Sequence, residues 1–205
     1  RRQRQMCIRD RADMVRALGS DSVGEFFEEM GAEDRVMLLD ELPGRVAERL
    51  LKELSEKDKQ NTDAVLGYEK GTVGRVMSPE IPEIYGGMTA HEVRELLRRE
   101  HEDLETLYTL PVIDRDRQLT GIVKMRRLFL AERDTLVADL LEDTPSVEAS
   151  ADAEETARWF LPLALLAIPV VDSDNRLVGI FTFDEAQHVV EGEDSELSLI
   201  HISAP

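Results

Sequence analysis

Apolar positions along the chain change their period once. From Ala12 to Leu66 they recur at helical spacing, with Val23, Phe26, Phe27 and Met30 at i, i+3, i+4 and i+7. Val36, Leu38 and Leu39 follow, and Leu42-Pro43-Gly44 interrupts the pattern. Val46, Leu50, Leu51 and Leu54 make another stripe, and Ser55-Glu56-Lys57-Asp58 reads as the start of a helix ending near Gly67. Short antiparallel helices joined by tight turns, in the manner of an α-solenoid, are expected over 12–67.

From Gly71 the pattern repeats itself. Leu110-Pro111-Val112-Ile113-Asp114 returns as Ile168-Pro169-Val170-Val171-Asp172, and Leu119-Thr120-Gly121-Ile122-Val123 as Leu177-Val178-Gly179-Ile180-Phe181. The two prolines, the two aspartates and the two glycines are each 58 residues apart, and one spacing shared by three landmarks marks an internal repeat. Each copy predicts a helix (Ala90 to Glu100, Ala153 to Leu161), a strand, a polar turn, a second strand, and a closing helix from near Arg126 or Asp184. A unit of this kind leaves one sheet face uncovered, so the two copies should pack on one another. Trp159 and Phe160 are expected in the core of the second copy.

Composition narrows the classes. Of 205 residues 42% are hydrophobic, enough for a core, and aliphatic residues must fill it because aromatics are few. The longest apolar run, Trp159 to Val171, contains Pro162 and Pro169 and is short of the roughly 20 residues of a membrane helix. Both ends invite separate treatment. Met6 to Asp10 back-translates as ATG TGT ATA AGA GAC, and Leu197 to Ile202 as CTG TCT CTT ATA CAC ATC. With those codons, and AG following the first string, one is the reverse complement of the other up to its last base, and both resemble a transposon adapter used in sequencing libraries. Residues 1–11 and 197–205 are therefore expected to be translated adapter, with the coding sequence continuing in both directions. Setting them aside removes Cys7, the single cysteine, and leaves 20 basic residues against 42 acidic ones. So negative a chain repels phosphate backbones, which argues against nucleic acid as a partner. It suits cations, as it also suits a plain solvated surface.

The repeat resembles a tandem pair of CBS modules, which regulate the protein they are attached to. The flanking residues narrow the resemblance. Gly67-Tyr68-Glu69-Lys70-Gly71-Thr72-Val73-Gly74-Arg75-Val76-Met77-Ser78-Pro79-Glu80 resembles the junction before the first CBS module of MgtE-type magnesium transporters. Glu33-Asp34-Arg35 with Leu38 to Pro43 resembles the last repeats of that family's helical N domain, and Asp184-Glu185 with Glu191 to Glu196 the acidic run before its membrane part. The resemblance implies an α+β fold: a short helical part over 12–67, then two βαββα-type modules, 68–138 and 139–196, packed together. It implies a homodimer through the CBS modules, attached to its own membrane domain at the cytoplasmic face of a membrane. It also implies a role as magnesium sensor, in which Mg²⁺ bridges acids between the N domain and the CBS pair and holds the pore shut.

Carboxylates suit that task. Mg²⁺ is a hard cation that takes oxygen ligands and keeps several waters, so one or two carboxylates on each surface suffice to join them. The resemblance carries over Glu33 and Asp34 on the helical part, and Asp152, Asp184, Glu185, Glu191 and Glu193 on the second module, as metal candidates. Each also suits a solvated helix face, and Asp152 and Asp184 suit helix N-caps. Two departures bear on the sites. Leu161-Pro162-Leu163-Ala164-Leu165-Leu166 stands where relatives carry a polar loop with an acid, and His188 replaces a carboxylate one turn after Asp184-Glu185.

A second reading is an adenine-nucleotide sensor, for ATP or another adenine nucleotide. Gly179-Ile180-Phe181-Thr182-Phe183-Asp184 matches the Gly-x-x-Thr-x-Asp of nucleotide-binding CBS modules, with Thr182 and Asp184 directed at phosphate and ribose. Gly121 to Arg126 lacks both residues, so at most one such site per chain is expected. A third reading is a purely structural dimerisation module. An enzyme is not expected, since there is no Gly-Lys-Ser/Thr phosphate loop and His91, His101 and His188 show no paired metal spacing.

Overall fold

The computed structural model describes residues 26–100 and 104–191. Val23, His101 and Glu193, and residues 1–11 and 197–205 with Cys7, lie outside the described residues. The chain forms two compact units that divide between Gly67 and Tyr68.

In the first unit three helices follow one another: α1 (Ala32–Glu41), α2 (Gly44–Glu53) and α3 (Glu56–Leu66). Pro43 fixes an extended backbone just before Gly44, which separates α1 from α2. Ser55 caps α3 by accepting a hydrogen bond from the Asp58 amide at 3.2 Å. The apolar stripes meet in one cluster of Phe27, Met30, Leu38, Leu39, Leu42, Leu50 and Leu54. Ala32, Val36 and Val65 join α1 to α3 in a second, smaller one.

A buried arginine organises this unit. Arg35, only 2% exposed, donates from Nε to the Phe27 carbonyl (3.0 Å) and from Nη2 to the Glu28 carbonyl (2.8 Å) and Asp58 Oδ1 (2.9 Å). Longer contacts at 3.4 Å run from Nη1 to the Asp58 carbonyl and Thr62 Oγ1. The guanidinium thus ties the turn before α1 to the first turns of α3, and its rigid fork suits several acceptors at once. Burial works to raise the Asp58 pKa, but the bonds from Ser55 and Arg35 outweigh it and hold the carboxyl below its ordinary 3.8.

The second unit contains α4 (Val73–Val76), α5 (Ala90–Glu100), β1 (Thr109–Ile113), β2 (Leu119–Lys124), α6 (Met125–Leu130), β3 (Val147–Glu148), α7 (Ala153–Phe160), β4 (Ala167–Val171), β5 (Leu177–Thr182) and a closing helix over 183–191. The 58-residue repeat appears as two hairpins of one register. Pro111 faces Ile122 and Val112 faces Gly121 in the first, while Pro169 faces Ile180 and Val170 faces Gly179 in the second, each with a register shift before the turn. The prolines are tolerated because the opposing isoleucines turn their N–H and C=O away from the hairpin. Asp114 and Asp172 shape the turns. Asp114 Oδ1 accepts from the amides of Asp116 and Gln118, and Asp172 Oδ1 from those of Asp174 and Arg176. Arg117 and Asn175 take the left-handed conformation there. The two turns also pair with each other: the Leu119 amide donates to the Asn175 carbonyl (3.0 Å) and the Leu177 amide to the Arg117 carbonyl (2.9 Å).

The modules differ in their opening strand. β3 pairs in parallel with β4 over two residues, whereas its counterpart is a single bridge between Tyr85 and Ile113. Trp159 departs from expectation: it is 39% exposed while Phe160 is buried. Adjacent helical residues point about 100° apart, so the side chain that fills the core turns its neighbour outward. α7 ends at Phe160, and Leu161–Leu163 continue as a 3₁₀ turn.

The segment before each module packs into the other module. Val73 and Met77 lie in the core of the second module with Ala157, Phe160, Ile168 and Phe181. The Val73 amide donates to the Ala151 carbonyl, the Gly74 amide to the Ala149 carbonyl, and Ser78 exchanges two backbone bonds with Ile180. Conversely Val137 and Leu140 lie in the core of the first module with Ile84, Val93, Leu110 and Leu128, and Glu142 exchanges two backbone bonds with Ile122. Gly179 permits the closest of these approaches, because a Cβ there would stand 2.6 Å from Met77 Sδ and 2.8 Å from the Ser78 carbonyl oxygen.

Arg35→Met removes the cation paired with Asp58 and the donor to the Phe27 and Glu28 carbonyls, and should destabilise the first unit by about 3 kcal/mol in urea denaturation followed by circular dichroism. Because the Asp58 pKa is lowered on folding, its contribution is present above the ordinary carboxylate range and lost as pH falls through the folded value, so Asp58→Asn should flatten stability against pH below 3.8. Gly179→Ala should destabilise the second unit by about 2 kcal/mol, read from the single tryptophan, Trp159. Gly87→Ala, with nothing within 4 Å of its Cβ, should stay within about 0.5 kcal/mol of the parent.

Candidate functional site

The end of β5 carries the densest set of candidate residues. Thr182 is 6% exposed and ends the strand, and its Oγ1 accepts the Glu185 amide at 3.3 Å, so it caps the closing helix. Thr182-Phe183-Asp184-Glu185 has the Thr-x-x-Glu order of a capping box. The cap is therefore Thr182, and Asp184 stands inside the helix with its side chain exposed. Two backbone links hold the surroundings: Ser78, fully buried, pairs with Ile180, and the Phe183 amide donates to the Leu166 carbonyl at 2.9 Å. Ser78, Leu166 and Thr182 thus converge on one end of β5.

The acids take different positions. Asp184, His188 and Glu191 follow at i, i+4 and i+7 and are all exposed, so they form one stripe on the closing helix, with Glu185 half-buried beside it. Asp152 is exposed and caps α7, its Oδ1 accepting the Glu155 amide at 2.8 Å. In the first unit Glu33 and Asp34 sit in the first turn of α1, where acids complement the helix dipole. Glu33 is 4% exposed with its carboxylate folded over Gly31, and Asp34 is half-buried. Among the described residues no three His, Cys, Asp or Glu side chains come together as a metal cage. Any cation held by these acids would need ligands from more than one surface, or water.

The same place in the first module has different chemistry. Lys124 Nζ lies 2.7 Å from Glu142 Oε2 and Arg127 Nη1 3.6 Å from Glu142 Oε1. The Lys124 contact, opposed by slight desolvation and helped by Arg127, keeps the Glu142 carboxyl below its usual range. The loop before β4 is apolar and partly open to solvent: Leu163 and Leu166 are exposed, and Ala164 adopts a left-handed conformation. Reading the sequence alone overlooked Ser78 and Glu142. They are 64 residues apart, so the 58-residue spacing of the hairpins does not align them. Only the pairing of both with the repeated isoleucines makes them equivalent.

Among the described residues no helix is long and apolar enough to cross a membrane. Two family models match the chain: the MgtE intracellular N domain over residues 4–71, and the CBS domain over residues 73–134 and 137–192. The magnesium transporter MgtE of Thermus thermophilus is 35% identical over 150 residues, which are 73% of this chain and 33% of that protein. The magnesium transporter MgtE of Bacillus subtilis is 32% identical over 168 residues, 82% of this chain and 37% of that protein. The chain spans about a third of the length of the curated relatives it matches. A crystal structure of the cytosolic domain of the Mg²⁺ channel MgtE in complex with ATP superposes with a TM-score of 0.84 at 30% identity, covering 90% of this chain and 76% of that one. A helical unit followed by two interlocked CBS modules, matched in that order by sequence and by structure, means that this chain belongs to the MgtE family of magnesium transporters.

Proposed function

We propose that this chain is the magnesium-sensing regulatory region of a transporter, and that Mg²⁺ joins its two units through acidic side chains. The observation that carries the reading is the exposed stripe of Asp184 and Glu191 with Glu185 beside it, in a chain of this family. Asp152 and Glu193 on the second module, and Glu33 and Asp34 on the helical unit, complete the proposed set. Without metal, two carboxylates about 4 Å apart repel by roughly 4 kcal/mol at an effective dielectric near 20. A hydrated Mg²⁺ between them removes that repulsion with few direct ligands. The ion shifts the arrangement only if it binds the compact state better than the open one. In the whole protein this equilibrium would gate a membrane pore, with the region on the cytoplasmic side and paired with a second copy through the CBS modules. The exposure of Phe129 (75%) and Leu130 (71%) on α6 supports such a pairing.

An adenine nucleotide is the second ligand we propose, with Thr182 and Asp184 as its contacts. The Gly-x-x-Thr-x-Asp order from Gly179 to Asp184 favours it, as does the ATP held by the related cytosolic domain. Both ligands fit one regulatory region.

Limited proteolysis of the chain over a Mg²⁺ series at constant ionic strength tests the sensor. Protection should saturate at millimolar Mg²⁺, and Asp184→Ala with Glu185→Ala should move its midpoint upward by about fivefold or more. Cleavage that ignores Mg²⁺, or a double variant that responds like the parent, would contradict the sensor and leave nucleotide binding or a structural dimer module.

A further inference from the structure

The two modules place opposite chemistry on the same backbone frame. Ser78 exchanges hydrogen bonds with Ile180 at 2.9 and 2.8 Å, and Glu142 does so with Ile122 at 2.9 and 3.0 Å. Lys124 precedes Thr182 by the repeat spacing of 58 residues, and Arg127 precedes Glu185 by the same spacing. The second module thus carries Ser78, Thr182 and Glu185 at the equivalent positions. The other gathers an acid and two cations, Glu142, Lys124 and Arg127.

We propose that Glu142 is a built-in anion that occupies, in the first module, the place the second module leaves for the phosphate of a nucleotide. Its meaning rests on the nucleotide reading of the second module. The carboxylate is well placed for the task. Two backbone bonds to Ile122 fix the residue, so its side chain starts beside the cations at a high effective concentration. Lys124 holds one of its oxygens at 2.7 Å and Arg127 approaches the other, as two cations would hold a phosphate. Arg127 also donates to the Leu141 carbonyl at 3.4 Å, which keeps its guanidinium turned towards the Glu142 segment. An external phosphate must displace a tethered competitor and leave it facing a second negative charge. The first module is thereby closed to phosphate-bearing ligands by an ion pair rather than by bulk. All three side chains are partly exposed, so the pair can be altered without opening the core.

Glu142→Gln keeps the shape and the backbone bonds and removes the charge. Calorimetric titration of the chain with inorganic pyrophosphate in metal-free buffer should show binding to Glu142→Gln at least about tenfold tighter than to the parent. Adding Lys124→Met should abolish the gain. Equal pyrophosphate binding by the parent and Glu142→Gln would overturn the proposal, and so would a gain that survives Lys124→Met, since the anion would then sit elsewhere. A parallel titration with ATP separates this from the nucleotide reading: one ATP per parent chain, lost in Thr182→Val, is expected of the second module. Its absence would overturn that reading while the pyrophosphate comparison still reports on Glu142.

Discussion

The second unit depends on one constraint: neither module can finish its own sheet and core. The free edge of β5 is paired by Ser78, and that of β2 by Glu142, each residue arriving on a segment that belongs in sequence to the other half. Unpaired strand edges and uncovered apolar faces are costly. Each module therefore completes its sheet edge and its core with residues of the other. Gly179 is the tightest point of this exchange, because the crossing strand passes over it at a distance that admits no side chain.

The crossing also decides where chemistry can sit. A residue delivered beside the repeated isoleucine lies next to the residue that ends the strand and next to the first turn of the following helix. Evolution of a tandem repeat leaves this frame fixed and lets its side chains diverge. Here one copy became polar and acidic, and the other became an internal ion pair.

Much of this was legible in the sequence. The hairpins were, because Asp114 and Gly121 each do a job that few residues can do, and these and Pro111 recur at one spacing. The helical unit was, because its stripes bury Leu38, Leu39, Leu50 and Leu54 as their periodicity requires. Arg35 was not, since a single arginine on a helix reads as solvated, and only the Asp58 carboxylate together with the Phe27, Glu28 and Asp58 carbonyls makes its burial favourable. The crossing segments were not, because α4 is a four-residue helix with no periodicity to read. The acids were legible as residues, and Asp152 as an N-cap, but not as surfaces: Glu33 is buried, and Thr182 is the cap that Asp184 could have been.

What the family membership adds is a use for the remaining exposed carboxylates. Asp184 and Glu191 are exposed on the closing helix, and a surface rich in such groups gains most from a cation when a second acidic surface approaches. The most direct test is the radius of gyration of the chain, measured by small-angle X-ray scattering across a Mg²⁺ titration at constant ionic strength. A saturable decrease at millimolar Mg²⁺, absent when KCl replaces it, is the predicted result. A radius that stays constant, or that falls equally in KCl, would contradict magnesium sensing by this chain.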